Sequence, residues 1–195
     1  MSDRVSIRSV ELLSDGWTKL KKIVLDYRRG DGRRDMQTRE VYERGEAATV
    51  LPYDADRGMV LLVRQFRLPV HMTSGADSLL EACAGVLDGE EDAETCIRRE
   101  AEEEMGCRLH DLQRLYSAYT IPGSVTERVT FFTARYTPVD RISAGGGHPD
   151  EGEDIEVVEM TLDDAFAATR DGRIVDAKTI LLVQEYILQR GKQAP

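Results

Sequence analysis

Gly85-Val86-Leu87-Asp88-Gly89-Glu90-Glu91 and, after seven intervening residues, Arg99-Glu100-Ala101-Glu102-Glu103-Glu104-Met105-Gly106-Cys107 form the stretch from which the rest of this chain can be read. The run Asp92 to Met105 predicts a helix, and Gly106 predicts its left-handed cap. At about 100° per residue and with Ile97 as zero, Ala93 falls near −40°, Ala101 near +40°, Glu104 near −20° and Glu100 near −60°. Glu103 lies roughly 60° beyond Glu100. Two glutamates therefore stand in the stripe that should face the core, with a third beside them, while Glu94, Arg98 and Glu102 point outward. A glutamate-rich helix is ordinarily a solvated face. Here the angles oppose that reading, because like charges at i, i+4 cost a few tenths of a kcal/mol and burying unpaired carboxylates costs more. Something positive must sit among them. Oxygen-only ligands select a hard cation such as Mg²⁺ or Mn²⁺, which binds through one or two carboxylates and the phosphates of a substrate.

Around this stretch the chain reads as 1–45, a basic β-ribbon subdomain, and 46–195, the main domain. In the ribbon, Trp17 to Tyr27 predicts a strand, Arg29 to Gly32 a turn, and Met36 to Tyr42 a second strand. A two-stranded ribbon is marginal alone, so it should lie on the main domain or on a partner subunit. In the main domain, strands are expected at Ala47 to Tyr53, Met59 to Phe66, Leu79 to Ala84, Gln113 to Tyr119, Val129 to Tyr136 and Glu156 to Met160. Thr161, paired with Asp164, caps one further helix, and a last helix runs from about Asp176 to Arg190. Strands and helices without regular βαβ alternation predict an α/β/α layered fold with a mixed sheet.

Composition narrows the function. The 195 residues carry 26 Lys+Arg against 36 Asp+Glu, a formal charge of −10. Such a surface repels polyanions, so a nucleic-acid partner is not expected. The opening MSDRVSIRSVELLSDG has charges where a signal peptide needs an apolar run, and no stretch is apolar enough to span a membrane. A cytoplasmic protein with no membrane partner is expected. Cys83, Cys96 and Cys107, without a CxxC pair, predict reduced, half-buried thiols.

The spacing Gly85-x5-Glu91-x7-Arg99-Glu100-Ala101-x-Glu103-Glu104-x-Gly106-Cys107 resembles the full signature of the Nudix hydrolases. Seven such identities arise by chance on the order of once in 10⁷. Ala101 and Cys107 depart mildly, standing where the family more often has bulky aliphatic residues. The resemblance implies a strand–loop–helix motif inside an α/β/α sandwich and hydrolysis of a nucleoside diphosphate derivative at its pyrophosphate. Arg64-Gln65-Phe66-Arg67, Leu80-Glu81-Ala82-Cys83-Ala84-Gly85 and Pro122 to Glu127 are similar to the ADP-ribose and nucleotide-sugar pyrophosphatases, as is the acidic loop Glu151 to Val157. Cys83, Thr38-Arg39-Glu40-Val41-Tyr42, Arg173-Ile174 and Asp176-x-Lys178-Thr179 favour the GDP-mannose branch, with ADP-ribose as the alternative.

By that resemblance, two or three Mg²⁺ ions (Mn²⁺ being the alternative) are held by Glu100, Glu104 and the carbonyl of Ala84, with Glu103 supporting. They neutralise the diphosphate and acidify a water that attacks phosphorus. The family places a further acid after Gly145-Gly146-Gly147; Glu153 matches best as metal ligand or general base, with Asp150 and Glu151 as competitors. The glycines would give this loop mobility to close over substrate. Arg67 and Lys178 are expected to contact phosphate or sugar, and Ala84, Gly85 and Glu127 to line the substrate site. Trp17 would stack on the base. Thr38, Arg39 and Glu40 sit in the ribbon that, in this branch, crosses to a second subunit, so a homodimer is expected. Glu91, Arg99, Gly85 and Gly106 have structural roles. A non-catalytic nucleotide sensor is the competing class; such proteins usually lose box glutamates, and all are present here. A zinc or serine hydrolase lacks HExxH, GxSxG or a Ser/His/acid set.

Overall fold

The computed structural model describes residues 4–148, 150 and 152–193; Glu151, one of the alternatives for the loop acid, lies outside them. The chain divides into two compact units, Met1–Glu46 with Tyr119–Arg128, and Ala47–Ala118 with Val129–Pro195.

The first unit is an antiparallel sheet of three strands, β1 (Val5–Asp15), β2 (Lys19–Arg28) and β3 (Arg34–Glu43), in that order. The sequence had suggested two strands; β1 is the addition. Its apolar residues Val5 and Ile7 alternate, then the phase slips, and Val10 and Leu12 alternate again. The pairing with β2 shifts register between Ile7 and Ser9 and again between Leu12 and Ser14. Such bulges break the period of two that marks a strand in sequence. The segment from Tyr119 returns to this unit, where the amide of Tyr42 donates to the carbonyl of Ser124 at 2.7 Å and that of Thr126 to Tyr42 at 3.1 Å.

The second unit is a seven-stranded mixed sheet between helices, as the sequence predicts. Its strands are β4 (Glu46–Asp54), β5 (Met59–Gln65), β6 (Leu79–Glu81), β7 (Cys83–Val86), β8 (His110–Tyr119), β9 (Arg128–Arg135) and β10 (Glu156–Thr161). The order is β10-β5-β4-β9-β8, with β6 on β5 and β7 on β4. The helices are α1 (Leu68–Ser74), α2 (Ala93–Met105), α3 (Leu162–Asp171) and α4 (Ala177–Gln193). Alternation along the central strands sorts side chains to two faces. Ala48, Val50, Leu61, Val63, Phe132 and Ala134 meet Cys96, Ile97, Ala101 and Met105 of α2. Ala47, Leu51, Val60, Leu62 and Phe131 meet Leu162, Ala165 and Ala168 of α3 and Leu182, Val183 and Tyr186 of α4.

One detail positions the site. β4 and β5 pair only at their hairpin end, Tyr53 with Val60 and Asp54 with Met59. Asp54 closes that turn by accepting the amides of Asp56 and Arg57, each at 3.1 Å. Beyond it the strands diverge, and the chain from Leu79 to Val86 enters the fork. Leu79 to Glu81 pair with β5, and Cys83 to Val86 with β4. The single strand expected at Leu79 to Ala84 is therefore two, switching partner at Ala82. Helix α1, with Pro69 in its first turn, was not anticipated, and α4 runs past Gly191. The three thiols, expected half-buried, are fully buried because each joins the core between α2 and the sheet.

Candidate active site

Helix α2 begins where Asp92 accepts the amide of Thr95 at 2.8 Å and ends at Gly106, whose φ of 60° is left-handed. Between these caps the core stripe places Glu104 at 2% exposure, and its Oε2 accepts the amide of Ala84 on β7 at 3.3 Å. Glu100 points at the same strand. A Cβ on Gly85 would stand 1.9 Å from its Oε1, so only glycine leaves room for that carboxylate.

Burial pushes the Glu100 carboxyl up to about 7, against the pull of Arg99 and with added repulsion from Glu103 and Glu153. Burial likewise lifts Glu104 to about 8; a hydrogen bond from the Cys83 thiol opposes this, while Glu100, Glu153 and Glu81 reinforce it. The Cys83 thiol is itself raised, by burial first and then by the two glutamates. Carboxyls raised by burial first and by one another second are ones whose charged form a cation would favour.

Arg99 organises the motif's outer side. Its Nε and Nη2 donate to the two oxygens of Glu91 at 3.3 and 3.2 Å, and its Nη1 to Glu100 at 3.0 Å and Glu103 at 2.9 Å. Glu91 in turn accepts the amide of Asp88 at 3.2 Å, which fixes the loop before the helix. Glu103 thus shares Arg99 Nη1 with Glu100.

The loop after β9 docks on the end of α2. The amides of Gly146 and Gly147 donate to the carbonyls of Glu104 and Glu103 at 3.0 and 3.1 Å, satisfying acceptors that a helix end leaves open. A Cβ on Gly145 would come within 2.4 Å of the Glu104 carbonyl, and one on Gly147 within 2.4 Å of the Glu153 carboxylate. Gly145 and Gly147 thus allow close approach at these two points. Glu153 accepts the amide of His148 at 2.9 Å and lies where its charge is felt by both Glu100 and Glu104. Asp150 is 94% exposed at its side chain and stands 4.0 Å from His148.

The structure also joins two of the expected substrate cations through a residue to which the sequence reading gave no role. Arg67 and Lys178 both face Glu81, which is 2% exposed. A lone charge inside the apolar run Leu79 to Ala84 was the available signal.

In the first unit, Trp17 is 85% exposed, with the Arg44 guanidinium 4.9 Å above one ring face. Arg44 pairs with Glu127 at 2.9 Å, and Thr120 donates to the other Glu127 oxygen at 3.2 Å. Arg44, missed in the sequence, thus links two predicted residues. Thr38, Arg39 and Glu40 lie on β3 opposite Val24, Ile23 and Lys22, and Arg39 is held by the Thr38 carbonyl and Gln37.

The donors at Glu100, Glu104, Glu153 and the Ala84 carbonyl are all oxygen, which suits a hard divalent cation. Among the described residues no three acidic, histidine or cysteine side chains already converge to hold a metal ion.

Comparison with known proteins agrees with this chemistry. The family described as NUDIX domain matches residues 43–190, and GDP-mannose pyrophosphatase NudK N-terminal domain matches residues 4–42. The chain is 46% identical over 190 residues to a GDP-mannose pyrophosphatase of Pectobacterium atrosepticum, covering 97% of each. It is 47% identical over 185 residues to one of Yersinia pestis, covering 94% of this chain and 92% of the other. A solved structure described as an ADP compounds hydrolase superposes with a TM-score of 0.73 at 19% identity over 97% of both chains, a likeness of fold.

Proposed function

Because the chain belongs to the NUDIX family and is a Nudix hydrolase, we propose that it hydrolyses the pyrophosphate of a nucleotide sugar, GDP-mannose, to GMP and mannose 1-phosphate. The observation that carries the reading is the buried Glu104, bonded to the Ala84 amide, beside Glu100, whose carboxylate lies against Gly85. Relatives sharing nearly half their residues over nearly the whole chain support the substrate.

Glu100, Glu104 and the Ala84 carbonyl would hold a divalent cation, Mg²⁺ in this reading with Mn²⁺ able to substitute, and Glu103 would support it. Such a cation, when bound, neutralises diphosphate charge and makes water a better nucleophile. The chain's own residues do the rest. Arg67 and Lys178 bind phosphate or sugar oxygens, Arg67 through the forked geometry that suits them. A carboxylate oxygen of Glu153 takes the proton of the attacking water. Gly85 keeps the Glu100 carboxylate against the strand. Glu91 and Arg99 hold loop and helix in register. The open face of Trp17 stacks on the guanine, with Glu127 nearby on the same unit.

Residues 1–45 serve as a dimerisation subdomain that brings Thr38, Arg39 and Glu40 to a second subunit's site, in a cytoplasmic homodimer. One observation supports a partner: Val5, Ile7, Val10 and Leu12 of β1 are all about half exposed.

The test is phosphate release, with excess alkaline phosphatase, from GDP-mannose, GDP-glucose, ADP-ribose and ADP-glucose, with Mg²⁺ and with chelator. Preference for GDP-mannose that chelator abolishes is expected. Preference for ADP-ribose would keep the chemistry and reject the substrate, and binding without turnover would reject catalysis.

A further inference from the structure

Glu81 uses its two oxygens on cations that arrive from different parts of the chain. Oε1 accepts from Nε of Arg67, the residue before α1, at 2.6 Å. Oε2 stands 3.7 Å from Nζ of Lys178 in the first turn of α4. The strand bearing Glu81 is tied to that same turn: the amide of Ala82 donates to Thr179 Oγ1 at 2.7 Å, and the Thr179 hydroxyl donates to Asp176 Oδ2 at 2.6 Å. Asp176 Oδ1 also accepts from Lys178 at 2.7 Å. Each element is thereby locked to the next by a short polar contact.

This arrangement does more than stability asks of it. A buried ion pair is often no better than well-packed apolar residues of the same volume, and Glu81 sits where Leu79 and Ala82 are already buried. What the pair does fix is direction. Holding Arg67 by Nε alone commits the inner edge of the guanidinium to Glu81, and among the described residues neither Nη nitrogen has a hydrogen-bond partner. Those two nitrogens form the edge that meets phosphate in a forked contact. The Arg67 guanidinium is also close enough to Glu104 and Glu153 to feel their charges.

We propose that Glu81 is a positioning residue for substrate binding: it aims Arg67 by its Nε and holds the Lys178 ammonium alongside, so that the substrate meets two cations already in place. This rests on the reading of Arg67 and Lys178 as substrate contacts.

Steady-state kinetics with GDP-mannose on Glu81→Gln, Arg67→Ala, Lys178→Ala and the Glu81→Gln/Arg67→Ala double variant test it. Glutamine keeps the shape and one acceptor but loses the charge. Glu81→Gln is expected to raise KM about tenfold while kcat changes by less than about threefold, the mark of binding lost without loss of chemistry. On the Arg67→Ala background the same change should cost about threefold or less, because the effect passes through Arg67. Equal losses on both backgrounds would overturn the positioning role while leaving the substrate reading intact. If Arg67→Ala and Lys178→Ala each left KM unchanged, the reading of these cations would fail and the proposal with it. Should Glu81→Gln not fold, Glu81→Asp carries the same test: the retracted carboxylate should raise KM at an unchanged thermal midpoint, and not on the Arg67→Ala background.

Discussion

At the scale of single residues, the candidate site consists of carboxylates placed where their charge is costly without a cation. Glu104 is the sharpest case, since burial raises its carboxyl to about 8. Glu104→Gln should lower kcat by about a hundredfold or more. In chelator, by contrast, it should not lower the thermal midpoint near neutral pH, because a carboxyl raised to about 8 is mostly protonated there and the amide replaces it without a change of charge. A variant that lost stability and kept turnover would contradict this. Asp176 behaves in the opposite sense. Burial alone would raise its carboxyl, but Lys178 and the hydroxyl and amide of Thr179 outweigh that and hold it below the ordinary 3.8. A depressed folded value stabilises fully above the unfolded value and is lost as pH falls through the folded one. The gap in thermal midpoint between the native chain and Asp176→Asn should therefore be widest near neutral pH and close as pH drops below about 3.8. A gap independent of pH would show that Asp176 acts only as a helix cap.

At the scale of elements, the site is a fork between two strands faced by one helix. Gly85 is the tightest point, and Gly85→Ala should displace the Glu100 carboxylate, since the new Cβ would lie 1.9 Å from Oε1. Turnover should fall while far-ultraviolet circular dichroism stays native; unchanged turnover would mean that Glu100 is not needed against the strand. The helix and its inward-facing Glu104 and Glu100 were legible in the sequence because a 3.6-residue period is local, and Asp92, Gly106 and the positions around Ile97 all declare it. The fork was not. Whether Leu79 to Ala84 pairs with one neighbour or two depends on where β4 and β5 diverge, which no local pattern records. Glu81 was hidden for the same reason: its partners Arg67 and Lys178 are 14 and 97 positions away. Strand β1 was hidden by its bulges, and Arg44 by its distance from Glu127.

At the scale of the whole molecule, a chain of net charge −10 would bind a doubly charged diphosphate only by gathering cations locally. In the proposed site, Arg67, Lys178 and a divalent ion on the α2 carboxylates would be that local reversal in the second unit. The first unit presents the half-exposed apolar residues of β1, and the proposed dimer predicts a light-scattering mass of about 44 kDa, twice the 21.9 kDa chain; a mass of one chain at working concentration would refute it. The central claim concerns which bond breaks. The direct measurement is ³¹P NMR of GDP-mannose incubated with the protein and Mg²⁺, before and after excess chelator. GMP and mannose 1-phosphate in equal amounts, with no change once chelator is present, is the predicted result. Release of GDP and free mannose, or product formation that chelator does not stop, would contradict the account.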